Sequence, residues 1–111
     1  MEIITTNYKR CDLVKVNGRV DSATAPQLAE VFDSVMNGGQ HKIVFDMSDI
    51  DYISSSGLRV MINAQKNCKR YNRGEVILVN IPPRVYAALD LAGFIPFFKI
   101  FDEVTTAVAQ F

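Results

Sequence analysis

Residues 46–58 read Asp-Met-Ser-Asp-Ile-Asp-Tyr-Ile-Ser-Ser-Ser-Gly-Leu, and this stretch joins an apolar strand to a long helical pattern. Upstream, residues 42–47 form a nearly continuous apolar run, which is typical of a strand buried on both faces of a sheet. A loop that carries Asp49 and Asp51 is expected to follow that strand. Apolar residues at three-and-four spacing then predict a helix from about Ser55 to Tyr71, with Tyr71 on its inward face.

Upstream of this junction, residues 3–6 and 12–16 have the composition of strands, and the short polar segment between them predicts an antiparallel hairpin. A helix is expected after them, ending at Gly38-Gly39, where glycine adopts left-handed backbone angles without penalty. Thr24 is predicted to cap this helix, with Gln27 three residues later as its capping-box partner.

Downstream of the junction, residues 76–79 predict a buried strand, which completes a βαβ unit. A third helix begins at Pro83, with Tyr86 among its inward residues, and Asp102 is predicted to cap a last helix after a short strand near residues 99–101. The resulting order is β β α β α β α (β) α. It predicts an α/β fold, a small mixed sheet packed with about four helices, in a single domain over residues 1–111.

The composition excludes several functional classes. Lysine plus arginine and aspartate plus glutamate number 12 each, so the basic excess of a nucleic-acid-binding protein is absent. No apolar run approaches the ~20 residues of a membrane span, and the first residues lack signal-peptide features, so a cytoplasmic protein is expected. Cys11 and Cys68 lie in apolar segments and are interpreted as reduced core cysteines, with a disulfide or metal pair as the alternative.

Catalytic and metal chemistry have little support in the sequence. The single histidine, His41, has no cysteine or histidine at ligand spacing, so no metal site is expected. A nucleophile elbow needs glycine two positions before the serine, but Ile53 stands there relative to Ser55. No Gly-rich phosphate loop follows, so neither a cofactor nor an enzymatic activity is expected.

The serines at the helix start have two interpretations, and both remain open on the residues alone. The first is plain helix capping by a hydroxyl. The second is a modification site, because a phosphoryl group adds about −1.5 to −2 charges that the positive end of a helix tolerates. Such a charge would leave the fold intact and change what the turn can contact.

The residues that carry these patterns resemble a known family. Residues 43–48 and 51–60, together with the Gly-Arg-Val-Asp turn at residues 18–21 and the helix start that follows, are similar to the STAS-domain anti-sigma factor antagonists of bacteria. The resemblance covers nearly the whole chain and implies the STAS fold for it.

The resemblance implies a non-enzymatic function in transcription regulation by partner switching. The unphosphorylated protein would bind an anti-sigma factor that is itself a serine kinase, and so release a sigma factor; phosphorylation would block binding, and a serine phosphatase would reverse it. Matched onto this chain, the phosphoacceptor is Ser55. The implied partner-binding residues are Asp21, Ser22, Ser54, Ser55, Ser56, Gly57 and Arg59.

The chain departs from the family pattern at one position. Ser54 stands where the family has an acidic residue, so Ser54 and Ser56 are alternative phosphoacceptors. Arg59, one turn after Ser55, is expected to reach a phosphate there. An alternative function is a STAS interaction module of another bacterial signalling or transport complex, such as a stressosome-like assembly.

The apolar segment at residues 94–101 also has two interpretations. It closes the sheet under the last helix, or it forms an exposed patch for a weak homodimer.

Overall fold

The computed structural model describes all 111 residues, and its five strands and four helices follow the predicted order. The strands are β1 (Glu2–Asn7), β2 (Asp12–Val20), β3 (Lys42–Ile53), β4 (Glu75–Val79) and β5 (Lys99–Phe101). The helices are α1 (Ala25–Asn37), α2 (Ser55–Lys69), α3 (Pro83–Leu91) and α4 (Val104–Val108). Two short 3-10 turns lie at Arg70–Asn72 and Ile95–Phe97.

The strands form one mixed sheet in the order β1-β2-β3-β4-β5. β1 and β2 pair antiparallel, as the predicted hairpin requires, and the other three pairings are parallel. β3 therefore lies in the middle of the sheet, and this position explains its nearly continuous apolar composition. The predicted α/β fold with a mixed sheet is confirmed.

Helices cover both faces of the sheet. Residues of α1, α2 and α3 pack on one face with Phe45 of β3, whose ring meets Phe32 edge-to-face at 5.2 Å between centroids. The short α4 covers the other face, where Ala107 packs with Val44 and Ile77. Alternate residues of β3 and β4 thus enter two separate apolar clusters. The cysteines are free and buried, Cys11 in one cluster and Cys68 in the other, which excludes a disulfide between them in this fold.

The prediction of a loop that carries Asp49 and Asp51 is wrong, because β3 continues through these residues to Ile53. β2 also extends further than predicted, to Val20, and supplies the backbone partners for this polar half of β3. Two register shifts accommodate the pairing, one of them at Gly18, whose φ of +108° suits glycine. The extension carries both strands beyond β4 and brings their ends together beside the start of α2.

The predicted helix caps are partly wrong. The Thr24–Gln27 capping box does not form, because the Thr24 hydroxyl donates to Arg19 O and accepts from Asp21 N, each at 2.9 Å. Glu103, not Asp102, occupies the cap position of α4, and it makes no side-chain cap bond.

Two inward-facing aromatic predictions are also wrong. Tyr71 is 85% exposed, because α2 ends at Lys69 and Tyr71 takes a left-handed φ of 60° in the turn that follows. Tyr86 is 43% exposed on α3.

The segment at residues 94–101 was interpreted either as core or as an exposed patch, and the structure shows both buried and exposed residues in it. Phe98 is buried in the core, and Phe94, Ile95 and Ile100 pack against it. Phe97 stands 53% exposed on the 3-10 turn.

Candidate partner-binding site

The site is built where the ends of β2 and β3 meet the start of α2. The backbone N–H of Ser54 donates to Val20 O at 2.8 Å, immediately before the helix begins. This bond ties the turn that follows β2 to the serines that follow β3. The two stretches of sequence that carry the family resemblance are therefore adjacent in space.

Ser54 caps α2. Its Oγ accepts a hydrogen bond from the backbone N–H of Gly57 at 3.3 Å, and its carbonyl accepts from Leu58 N at 3.0 Å. Ser54 is half-buried, and its hydroxyl oxygen is engaged with the first turn of the helix. The capping interpretation is thus confirmed for one serine of the three, which leaves the other two to be explained.

Ser55 is the first residue of α2 and is exposed, while Ser56 is half-buried behind it. The hydroxyl of Ser55 makes no hydrogen bond within the protein. It projects at the helix end where backbone N–H groups are free and the helix dipole is positive. Solvent access at Ser55 is the condition that any enzyme acting on it requires, and the structure satisfies that condition.

Gly57 allows the close approach of α2 to the strands. A Cβ atom at this position would lie 2.7 Å from side-chain carbons of both Val20 and Ile53. Gly57 is buried, and packing against β2 and β3 explains why a residue without a side chain stands here.

The turn after β2 is held by Asp21. Its carboxylate accepts from the backbone N–H of Ala23 at 3.0 Å and of Thr24 at 3.1 Å, so the turn is closed by the side chain. These bonds, chiefly that of Thr24, together with the Arg19 guanidinium hold the pKa of Asp21 below its usual value. The carboxylate thus remains charged and fixed, and it presents Ser22 at the exposed tip of the turn.

A shallow groove joins the two halves of the site. Ser22 and Pro26, at the start of α1, line it on one side, and Ser56, Arg59 and Asn63 of α2 line it on the other. Arg59 is exposed, one helical turn after Ser55. The structure therefore brings Asp21, Ser22 and the serines together on one surface, as the predicted site requires.

Arg19 and Tyr52 also flank the site, although no pattern in the sequence singles them out. They are paired across β2 and β3, and the Arg19 guanidinium lies 4.4 Å from the centre of the Tyr52 ring. Arg19 also approaches the Asp21 carboxylate at 3.8 Å. Only the register between the extended strands reveals this arrangement, because the extension itself was not predicted.

Metal-ligating and histidine side chains do not form a second candidate site. No three His, Cys, Asp or Glu side chains converge as metal ligands. His41 precedes β3 and Ser55 follows it, so the single imidazole lies at the opposite end of a 12-residue strand from the serines. None of the helices combines the length and the apolar character that crossing a bilayer demands.

This fold and site define a STAS domain. The STAS-domain family profile matches residues 2–107, and the chain belongs to that family. Within it, the chain groups with the anti-sigma factor antagonists. It is 32% identical over 96 residues to BtrV of Bordetella bronchiseptica, a protein assigned as an anti-sigma factor antagonist, over 86% of this chain and 82% of BtrV. It is 26% identical over 93 residues to the anti-sigma-B factor antagonist of Staphylococcus aureus, over 84% of this chain and 85% of that protein.

Solved structures agree with this assignment. A Thermotoga maritima protein assigned as an anti-sigma factor antagonist superposes with a TM-score of 0.90 at 25% identity, over 97% of this chain and 92% of that chain. The phosphorylated form of SpoIIAA from Bacillus superposes with a TM-score of 0.77, over 98% of both chains. At 14% identity the second likeness shows the fold alone.

Proposed function

We propose that this protein is an anti-sigma factor antagonist that acts in the cytoplasm and is switched by phosphorylation of Ser55. With the Ser55 hydroxyl free, the surface formed by Asp21, Ser22, Ser56 and Arg59 binds an anti-sigma factor serine kinase, so that the sigma factor is released. With Ser55 phosphorylated, the same surface is closed to that kinase.

The single observation that carries this proposal is that the three serines differ in hydrogen bonding and in exposure. Ser54 is committed to the cap by its bond to Gly57 N, and Ser56 is half-buried. Ser55 is exposed and unbonded at the first helical position. A phosphoryl group on Ser54 would occupy the oxygen that caps the helix, whereas on Ser55 it would project into solvent. Ser55 is therefore favoured as the acceptor over both neighbours.

ATP is the phosphoryl donor in the proposed reaction. The Oγ–P bond forms as the bond between the γ-phosphorus and the bridging oxygen of ATP breaks, ADP leaves, and the hydroxyl proton passes to a base of the kinase. The phosphatase returns the hydroxyl by adding water across the Oγ–P bond, which releases inorganic phosphate. This chain supplies only the acceptor serine, consistent with a binding module and not an enzyme.

The charge of the phosphoryl group explains both its tolerance and its effect. Near a helix N-terminus a negative charge is favourable by about 0.3–1 kcal/mol when exposed, so the fold is retained. About −1.5 to −2 charges at the centre of the surface repel an acidic docking partner and add a cost of desolvation. Arg59 lies four residues further along α2, about one helical turn from Ser55. We expect it to pair with the phosphate and thereby to be withdrawn from the partner.

The test is phosphorylation by a purified anti-sigma factor kinase with ATP and magnesium, followed by intact-mass and peptide mass spectrometry. We expect a gain of one phosphoryl group on Ser55 that is lost in Ser55→Ala and retained in the matched variants Ser54→Ala and Ser56→Ala. Ser55→Asp should fold with an unchanged circular dichroism spectrum and lose binding to the kinase by calorimetry. Unaltered phosphorylation of Ser55→Ala, or unaltered binding by Ser55→Asp, would refute the proposal.

A further inference from the structure

A second surface, separate from the serines, lies along the outer face of α2. Its charge is one-sided: residues 52–74 contain five lysines and arginines and no aspartate or glutamate, in a chain whose formal charge is zero. Four of these five cations border one groove. They are Arg59, Lys66, Lys69 and Arg70.

The cations of this groove have no acidic partners. The three ion pairs of the structure join Lys15 to Asp49, Arg19 to Asp21 and Lys99 to Glu75. The fifth cation, Arg73, is bonded to backbone carbonyls of the turn after α2. The positive charge along α2 is therefore uncompensated by the protein's own carboxylates.

The opposite wall of the groove is aromatic and rigid. Phe94 and Phe97 form it, with ring centroids 6.4 Å apart. Gln65, which is only 2% exposed, fastens this wall to the helix: its amide nitrogen donates to Phe97 O at 2.7 Å and to Val76 O at 3.1 Å. Its amide oxygen accepts from Val76 N, so every polar atom of the buried side chain is bonded. The backbone of Phe97 is thus held in place, while about half of the residue's surface faces solvent.

The helix dipole accounts for only part of this pattern. Lysines in the last turn of a helix are favoured by the negative helix end, which suffices for Lys66 and Lys69. It explains neither Arg59 in the first turns nor an exposed phenylalanine fixed beside the cations. A row of cations beside a rigid apolar wall is instead the complement of an acidic segment that also carries an apolar side chain.

We propose that this groove, the α2 basic groove, binds an acidic segment of a partner protein, with carboxylates on the cations and an aliphatic or aromatic side chain on Phe97. A protein is favoured over nucleic acid because the chain's pI is about 6.5, whereas nucleic-acid-binding domains are usually basic overall. A groove also suits a peptide segment better than the flat surface of a bilayer. The site goes beyond the phosphorylation switch and does not depend on it, although Arg59 borders both surfaces.

The experiment uses the full chain and a labelled helical peptide with glutamates on one face and leucines on the other. Binding is followed by fluorescence anisotropy, and amide chemical shifts locate the contact. We expect the peptide to perturb residues of the groove, and we expect its affinity to fall when salt rises from about 0.05 to 0.5 M, because exposed charges are screened. Lys66→Glu, Lys69→Glu and Arg70→Glu together should weaken binding at least about tenfold, since like charges then face one another.

Two matched variants separate the apolar and charged contributions. Phe97→Ser should weaken binding severalfold with an unchanged urea midpoint, and Arg84→Glu, an exposed charge reversal on α3, should leave binding unchanged. If the triple reversal does not fold, glutamine at the same three positions tests the same point. None of these variants alters Ser55, so kinase-dependent phosphorylation should persist in all of them. A failure of peptide binding at the α2 basic groove is therefore distinguishable from a failure of the phosphorylation switch.

Three results would overturn the proposal. The first is equal binding of a peptide in which serine replaces every leucine, which would indicate ion exchange only. The second is an undiminished affinity in Phe97→Ser. The third is tighter binding of a DNA duplex or of phosphatidylglycerol vesicles through the same cations, which would assign the groove to a different class of ligand.

Discussion

Gly57→Ala tests the packing that places the serines. The added methyl group would lie 2.7 Å from carbons of both Val20 and Ile53, a distance that real Cβ contacts essentially never show. Both neighbours are buried, and Val20 is β-branched and hence stiff about its single side-chain torsion. Neither side chain can move aside freely, so we expect the start of α2 to shift away from the strand ends.

Two opposing contributions set the magnitude. Alanine is favoured over glycine within a helix by about 1 kcal/mol. Overpacking of a well-packed core costs about 1–3 kcal/mol, and contact with two constrained side chains places this site near the upper end. The expected net loss in the free energy of unfolding is therefore about 1–2 kcal/mol, out of about 5–15 kcal/mol for a typical domain.

Urea denaturation followed by circular dichroism measures this loss. With an m-value of about 2 kcal/mol/M, the midpoint should fall by about 0.5–1 M at unchanged slope. Val20→Ala provides the matched background, since it removes one of the two clashing groups. The combined loss of the double variant should be smaller than the sum of the single losses by at least about 0.5 kcal/mol. A Gly57→Ala protein more stable than the wild type, or strict additivity in the cycle, would refute the packing explanation.

Three further predictions follow from buried and charged groups. Phe45→Ala removes a fully buried ring that meets Phe32, and should cost about 3–5 kcal/mol in urea unfolding; a loss under about 1 kcal/mol would contradict its place in the core. Burial raises the pKa of Cys68 to about 11 and also raises that of Cys11, so both thiols should resist iodoacetamide at neutral pH until urea unfolds the chain; rapid alkylation of the native protein would show an exposed thiol. Because the pKa of Asp21 is lowered in the folded protein, its carboxylate adds stability above the unfolded-state value of about 4, and that stability is lost as pH falls through the folded-state value. Asp21→Asn should therefore be less stable than the wild type at neutral pH, and the difference should disappear once the pH lies below the folded-state pKa of Asp21; a difference that persisted in acid would point to a cause other than charge.

Prediction from the sequence succeeded where local periodicity and burial agree. The apolar runs of β3 and β4 read as buried strands because both of their faces are covered. The start of α2 near Ser55 was predicted because apolar residues at three-and-four spacing follow the serines. Prediction failed where a long-range partner overrides local composition. The aspartates of β3 have the composition of a loop, yet they are strand residues because β2 extends alongside them.

The candidate site shows the same division. The family resemblance implied that Asp21, Ser22 and the serines share one partner-binding surface. The pairing of β2 with β3 gives the physical reason that the two stretches are adjacent. The family resemblance implied Ser55 as the acceptor and left Ser54 and Ser56 as alternatives. The fold distinguishes the three serines, because Ser54 caps the helix, Ser56 is half-buried and Ser55 is exposed.

The amino-acid sequence alone determined the family, the order of strands and helices, and the turn that we propose for phosphorylation, because these depend on spacing along the chain. Only the tertiary structure decided which serine faces solvent, why Gly57 has no side chain, and where the unpaired cations of α2 meet a fixed phenylalanine. These properties depend on contacts between residues that are distant in the chain, and no local pattern of residues records such contacts.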